Sequence, residues 1–195
     1  VDLSIPYNFN GKQPNLYDVE KGKLSPLKTG SDLWSVSDGA SCNVPEISMN
    51  IHCSGTHTES VGHLLENSSD IGSMLKDGIL PTALITVLPE SFQSTDEDYH
   101  CIINEDESVI TATSIKLQFD KWKILYPQTL IIRTLPNNEE KQFLQFNESP
   151  PPFFTNSALK LIYELGINHL IVDIPSVDRM SDDGILGNHR IFWGD

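Results

Sequence analysis

Within twelve residues the chain sets out His52-Cys53-Ser54-Gly55-Thr56-His57-Thr58-Glu59-Ser60-Val61-Gly62-His63. Imidazole, thiolate and carboxylate are the usual protein ligands of zinc, iron and manganese. A site forms only if they converge on one point. On an extended strand every second side chain shares a face, so Cys53, His57 and Glu59 would point one way and His52 the other. Gly55 and Gly62 allow sharp bends before His57 and His63. A strand end followed by a tight turn would then gather Cys53 or His52 with His57, Glu59 and His63. One histidine in such a segment is usually structural; three with a glutamate around a glycine turn are a stronger signal, and spacing alone leaves both readings open.

The elements that must position these groups can be read from periodicity. Leu3, Ile5 and Tyr7 alternate with polar residues and predict an opening strand, with Pro6 and Pro14 arguing against helix. A strand is expected over 47–53, and a short helix or loop over 58–65. The runs 82–88, 130–134 and 169–174 are β-rich and apolar, as buried strands are. Residues 90–107 are acidic and polar and predict a loop. A helix is expected over 113–122 with Thr113 as its cap, ending at Trp122. A clearer one covers 155–165, capped by Thr155 or Asn156 and stopped by Gly166. Strand, helix and strand in succession predict an α/β fold around a mixed sheet, as a single domain over 1–195.

The 195 residues include 13 Lys and Arg against 27 Asp and Glu, a formal net charge of −14. That balance argues against binding to phosphate backbones, which needs a basic face, and disfavours docking to anionic lipid. No apolar run reaches the roughly 20 residues needed to span a bilayer. Three cysteines, Cys42, Cys53 and Cys101, are too few and odd in number for a disulfide framework, which predicts a reducing, cytoplasmic setting. The expected partner is a small-molecule substrate, with neither nucleic acid nor membrane.

The segment 52–63 resembles the signature of the metal-dependent cyclase-like hydrolases, His-x-Gly-Thr-His-x-Asp-x-Pro-x-His, the family of bacterial kynurenine formamidase and isatin hydrolase. Gly55-Thr56-His57 matches its middle and His63 its end. Asp2-Leu3-Ser4-Ile5-Pro6 is similar to the family's opening strand, Leu130 to Thr134 to its "Leu-Ile-Arg-Thr" strand, and Asp173 to Asp178 to its "Asp-x-Pro-Ser-x-Asp" segment. His189 stands where the family has a downstream histidine. The resemblance implies a swivelling β/β/α fold, a mixed sheet with a few flanking helices. It also implies metal-assisted hydrolysis of a carbon–nitrogen bond in an amide, arylformamide or cyclic imide, and a homodimer or homotetramer.

By the same resemblance His63 is the acid/base histidine, and Cys53, His57, Glu59 and His189 are metal ligands, with zinc or manganese as the ion. The family's first histidine lies four positions before its second, where this chain has Cys53; His52 is five back. Either Cys53 binds as a thiolate, which face parity favours, or a bulge turns His52 inward. Glu59 replaces the family's Asp, and Val61 its Pro. The family also has a metal-binding Glu beyond the downstream histidine, which would fall past Asp195, so the C-terminal end is expected to be truncated relative to the family. These departures keep a second reading open, a catalytically silent metal- or ligand-binding module.

Ser176 and Asp178 are candidates to orient ligands or relay protons, or simply to shape a turn. Trp34, with Tyr7 and Phe9, is a candidate pocket lining, against the commoner use of aromatics in packing. His100, in its acidic loop, is expected to be solvated, and His169 to be structural.

Overall fold

A computed structural model describes residues 2–66, 70–75, 78–121 and 127–194. The chain divides into two compact units, Val1–His57 with Glu139–Ser149, and Thr58–Asn138 with Pro150–Asp195.

The first unit is built mainly from turns. Two short antiparallel ladders occur in it, β1 (Lys23–Pro26) with β4 (Pro45–Ser48), and β2 (Lys28–Thr29) with β3 (Asp32–Leu33). The expected strand over 47–53 stops at Ser48, and residues 51–53 form a turn. Its alternating apolar residues do not mark a buried face: Ile47 and Ile51 are both exposed. The opening alternation at Leu3, Ile5 and Tyr7 forms no strand either. Instead the Ile5 N–H bonds Thr56 Oγ1, and the Tyr7 hydroxyl donates to Gln13 and accepts from the Gly22 N–H.

The second unit is α/β. Its main sheet is parallel, with β8 (Thr129–Thr134) between β5 (Thr82–Val87) and β10 (His169–Val172). Ala83, Ile85, Leu130 and Ile132 are fully or almost fully buried from this sheet. They pack with Ile115 of α2 (Ala112–Phe119) and with Ala158, Leu159 and Ile162 of α3 (Asn156–Glu164). A second small sheet has β7 (Ser108–Ile110) between β6 (Glu90–Ser91) and β9 (Phe153–Phe154). The unit also holds one turn of helix, α1 (Ile71–Met74), and closes with α4 (Gly187–Trp193), which packs on α3. Among the described residues no helix is long and apolar enough to cross a membrane.

Capping decides where the helices start. Thr155 Oγ1 accepts the Ala158 N–H at 3.1 Å and begins α3 as expected, and Gly166 (φ 72°) ends it in the left-handed region. For α2 the cap is Thr111, two residues earlier than expected, its Oγ1 accepting from Ser114 at 3.1 Å. The expected end of that helix, Trp122, lies outside the described residues.

The acidic stretch explains the shift. The Glu97 carboxylate accepts the Ala112 and Thr113 N–H groups at 2.8 and 3.1 Å, and the Thr155 hydroxyl at 2.6 Å. One side chain thus satisfies the first donors of α2 and ties them to the cap of α3, with its charge at the positive end of α2. Glu97→Ala leaves these donors without their acceptor and is expected to lower stability by about 2 kcal/mol in urea unfolding, with Glu97→Gln recovering part of it.

Candidate metal centre

The second unit brings three of the expected site residues together. Ser60 Oγ accepts the Gly62 N–H and starts a single 3-10 turn, Val61–His63, in the segment expected to be a short helix or loop. That turn places His63 beside Glu59, with Nδ1 3.8 Å from Oε2. His189, at the start of α4, points Nε2 to Glu59 Oε1 at 2.9 Å, and its ring centroid is 5.6 Å from that of His63. A carboxylate and two imidazoles therefore share one locus, although 126 positions separate His63 from His189 (189 − 63).

Behind His189 stands a buried carboxylate. Asp178, in the loop after β10, accepts from His189 Nδ1 at 2.5 Å and from the Asn188 and His189 main-chain N–H groups at 2.8 and 3.2 Å. Burial alone would raise the pKa of Asp178. The hydrogen bond from His189, those from the main chain and the imidazole's charge outweigh burial and hold the carboxyl below its ordinary range. Burial would lower the pKa of His189, but its bonds to Asp178 and Glu59 and their charges push it up to about 9. Without a metal the imidazole carries both protons, one for each carboxylate. A divalent cation at Nε2 would take the place of the proton facing Glu59, and Asp178 would keep Nδ1 protonated. This is the carboxylate–histidine–metal pattern, so the donor chemistry fits an ion such as zinc or manganese. Asp178→Asn removes the buried charge and is expected to weaken metal binding on the order of 10–100-fold, measured by competition with a chromophoric chelator. Ser176 accepts the Asp178 N–H at 3.1 Å and shapes the turn that delivers Asp178.

In the first unit, His57 Nδ1 is 2.9 Å from the Gly55 carbonyl, which can only accept. That fixes Nδ1 as the donor and leaves the Nε2 lone pair for another partner. The His52 and His57 rings meet edge-on, centroids 4.9 Å apart. The parity argument for Cys53 needed an extended strand, and the turn at 51–53 removes that basis. Burial pushes the Cys53 thiol up, away from the thiolate form that binds metal. Trp34 is half-buried, with Nε1 donating to Thr29 Oγ1 at 2.7 Å.

His100 departs from expectation. It is not solvated: its side chain is only 16% exposed, packed on Tyr99 and facing Asp178 and Asp182. The acidic loop around it is drawn in by Glu97 and by the Asp98 carbonyl, which accepts the Asn156 N–H. Neither His100 nor Asp182 was legible as part of the site, because charge-rich composition usually signals solvated chain and the partners are distant in sequence.

With this geometry in view, the family model Cyclase ("Putative cyclase") matches residues 1–179. The chain belongs to that family. Among curated relatives, kynurenine formamidase of Bacillus thuringiensis subsp. konkukian is 23% identical over 98% of this chain and 76% of its own length. The kynurenine formamidase of Bacillus anthracis gives the same figures. A solved structure described as a predicted metal-dependent hydrolase from Bacillus stearothermophilus superposes with a TM-score of 0.54 at 13% identity, covering all of this chain and 77% of that one. The fold is therefore the α/β fold of that structure, as the sequence resemblance implied.

Proposed function

We propose that this protein is a metal-dependent hydrolase that cleaves the C–N bond of a small amide, with arylformamides ahead of cyclic imides as the substrate class. The observation that carries the reading is the state of two imidazoles. His189 and His57 each have Nδ1 committed to a fixed acceptor, Asp178 in one case and the Gly55 carbonyl in the other. Each therefore has Nε2 as the nitrogen open to a metal, and in His189 that nitrogen faces Glu59 at 2.9 Å, the arrangement that metal-binding histidines adopt. The formamidase relatives support the formamide class, and the family motif supports the residue roles.

In this reading Glu59 and His189 are ligands, together with His57 and one of the pair His52 and Cys53. For the last three the support is the motif's order and the local geometry at His57. The contact of the His52 ring with His57 favours His52. His52→Ala is then expected to weaken metal binding more than Cys53→Ala, by chelator competition. A divalent ion in such a set lowers the pKa of water and polarises a carbonyl oxygen. His63 does the proton work: it takes a proton as water adds to the carbonyl carbon. It returns that proton to the nitrogen as the C–N bond breaks, releasing amine and carboxylate. Imidazole is the side chain suited to both steps, since it can take up and give back a proton near neutral pH.

The test is direct. Purified protein loaded with zinc or manganese is assayed with N-formyl aromatic amines and with cyclic imides, following formate release or ring opening, and metal content is measured in parallel. Bound metal with formate release supports the reading. Bound metal with no turnover of any of these substrates overturns it in favour of a silent metal-binding module.

A further inference from the structure

We infer that His100 is a positioning residue for His189, acting through the buried Asp178; this rests on the reading of His189 as a metal ligand. The cluster His100, Asp178 and Asp182 has three potential ligand atoms within 4.8 Å of one another, so it first invites interpretation as a second metal site. The hydrogen bonds around it argue otherwise. The Asn188 Nδ2 group donates to two main-chain carbonyls, Phe154 at 2.7 Å and Val177 at 3.0 Å. Carbonyls cannot donate, so the orientation of the Asn188 amide is fixed and its Oδ1 is an acceptor. That Oδ1 takes a hydrogen from Asn156 Nδ2 at 3.0 Å, which fixes the Asn156 amide as well. Asn156 Nδ2 also lies 3.1 Å from His100 Nδ1. His100 Nδ1 must therefore accept, and the ring proton sits on Nε2.

Nε2–H then faces two carboxylates, 3.6 Å from Asp182 Oδ2 and 4.0 Å from Asp178 Oδ1. The atom is buried and closes no hydrogen bond among the described residues. A nitrogen that bears a proton has no lone pair for a metal. It does have a positive edge, directed between two acids whose side chains are 1% and 7% exposed. Two such charges close together repel unless donors face them. Asp178 is met by the Tyr99 hydroxyl, His189 and main-chain N–H groups, and Asp182 by the Gly184 and Leu186 N–H groups. His100 Nε2 lies within 4.0 Å of a carboxylate oxygen of each.

The loop that this arrangement holds is under backbone strain. Asp183 and Leu186 have positive φ, 59° and 51°, a left-handed region that is unfavourable for a residue with a Cβ. Leu186 immediately precedes α4, which carries His189. His100 packs against this junction: a Cβ at Gly187 would lie 2.4 Å from His100 Nδ1. Removing the imidazole leaves Asp178 and Asp182 unbalanced beside a strained loop. Asp178 then no longer holds His189 Nδ1 in one geometry.

The test uses His100→Gln, which can accept from Asn156 and donate to the acids, and His100→Leu, which can do neither. Gly187→Ala pushes the ring aside independently. The first readout needs no metal: in the metal-free full chain, the Nδ1 proton of His189 gives a downfield NMR signal through its short bond to Asp178. Folded His100→Leu and Gly187→Ala should lose or broaden that signal, and His100→Gln should keep it. The second readout is zinc affinity by chelator competition, expected to fall on the order of 10-fold or more in His100→Leu and to stay within about 3-fold in His100→Gln. A merely structural role would lower the melting temperature without moving either readout in protein that is still folded. An unchanged His189 signal in folded His100→Leu overturns the inference. So does a second bound zinc that His100→Leu abolishes. If the parent binds no zinc, the ligand reading fails, and the NMR result still decides whether His100 positions His189.

Discussion

His63→Ala lowers kcat for a formamide substrate by roughly 10²–10⁴-fold, the usual contribution of a positioned general acid/base, and leaves bound metal unchanged. The geometry supports the separation of these two effects. His63 lies beside Glu59 at 3.8 Å, farther than the 2.9 Å between Glu59 and His189. It is also more exposed than His189, 30% against 7%, where substrate and water can reach it. Glu59, His189 and Asp178 remain as they are in the variant. Steady-state kinetics with metal analysis on the same preparation checks this. If metal and activity are lost together, His63 is a ligand.

His189→Ala removes turnover altogether, and so does stripping the parent with a chelator. Zinc or manganese restores the stripped parent but not the variant. The physical reason lies in the buried pair behind the ligand. His189 is held by Asp178 on one side and Glu59 on the other, so its removal deletes a donor and leaves Asp178 buried without its main charged partner. The loss therefore appears in stability too, measured by thermal melting without metal. In the parent, adding metal raises the melting temperature, by about 2.7 kcal/mol of stabilisation at 100 times Kd. In His189→Ala that increase is absent. A variant that still binds metal and turns over substrate would remove His189 from the site.

The core of the second unit was legible in the sequence because its physics is local. The 82–88 and 130–134 runs are β-rich and apolar, and they form neighbouring strands whose Ala83, Ile85, Leu130 and Ile132 are buried. The 155–165 helix carries its own cap and its own glycine stop. The strand expected over 47–53 stops early because alternation shows which residues could share a face, not that another layer covers it; here Ile47 and Ile51 stay exposed. The α2 cap falls at Thr111 and not Thr113 because 111–114 contains several residues able to cap, and Glu97, fourteen positions upstream of Thr111 (111 − 97), accepts the Ala112 and Thr113 N–H groups.

The site was legible in part for the same reason. Short-range spacing showed Glu59 and His63 as neighbours, and family resemblance supplied His189. Asp178 reads in the sequence either as a turn residue or as a group that orients a ligand; the structure shows it in a turn with Ser176, its carboxylate bonded to His189. The sequence does not mark His100, because its burial depends on an acidic loop folding inward, which composition argues against.

The most direct test of the central claim, that Glu59 and His189 hold a divalent ion, is anomalous scattering from crystals grown with zinc or manganese, measured at the metal's absorption edge. The account predicts a peak about 2.0–2.2 Å from His189 Nε2 and from a Glu59 carboxylate oxygen. A map with no peak there, or with density only among His100, Asp178 and Asp182, would contradict it.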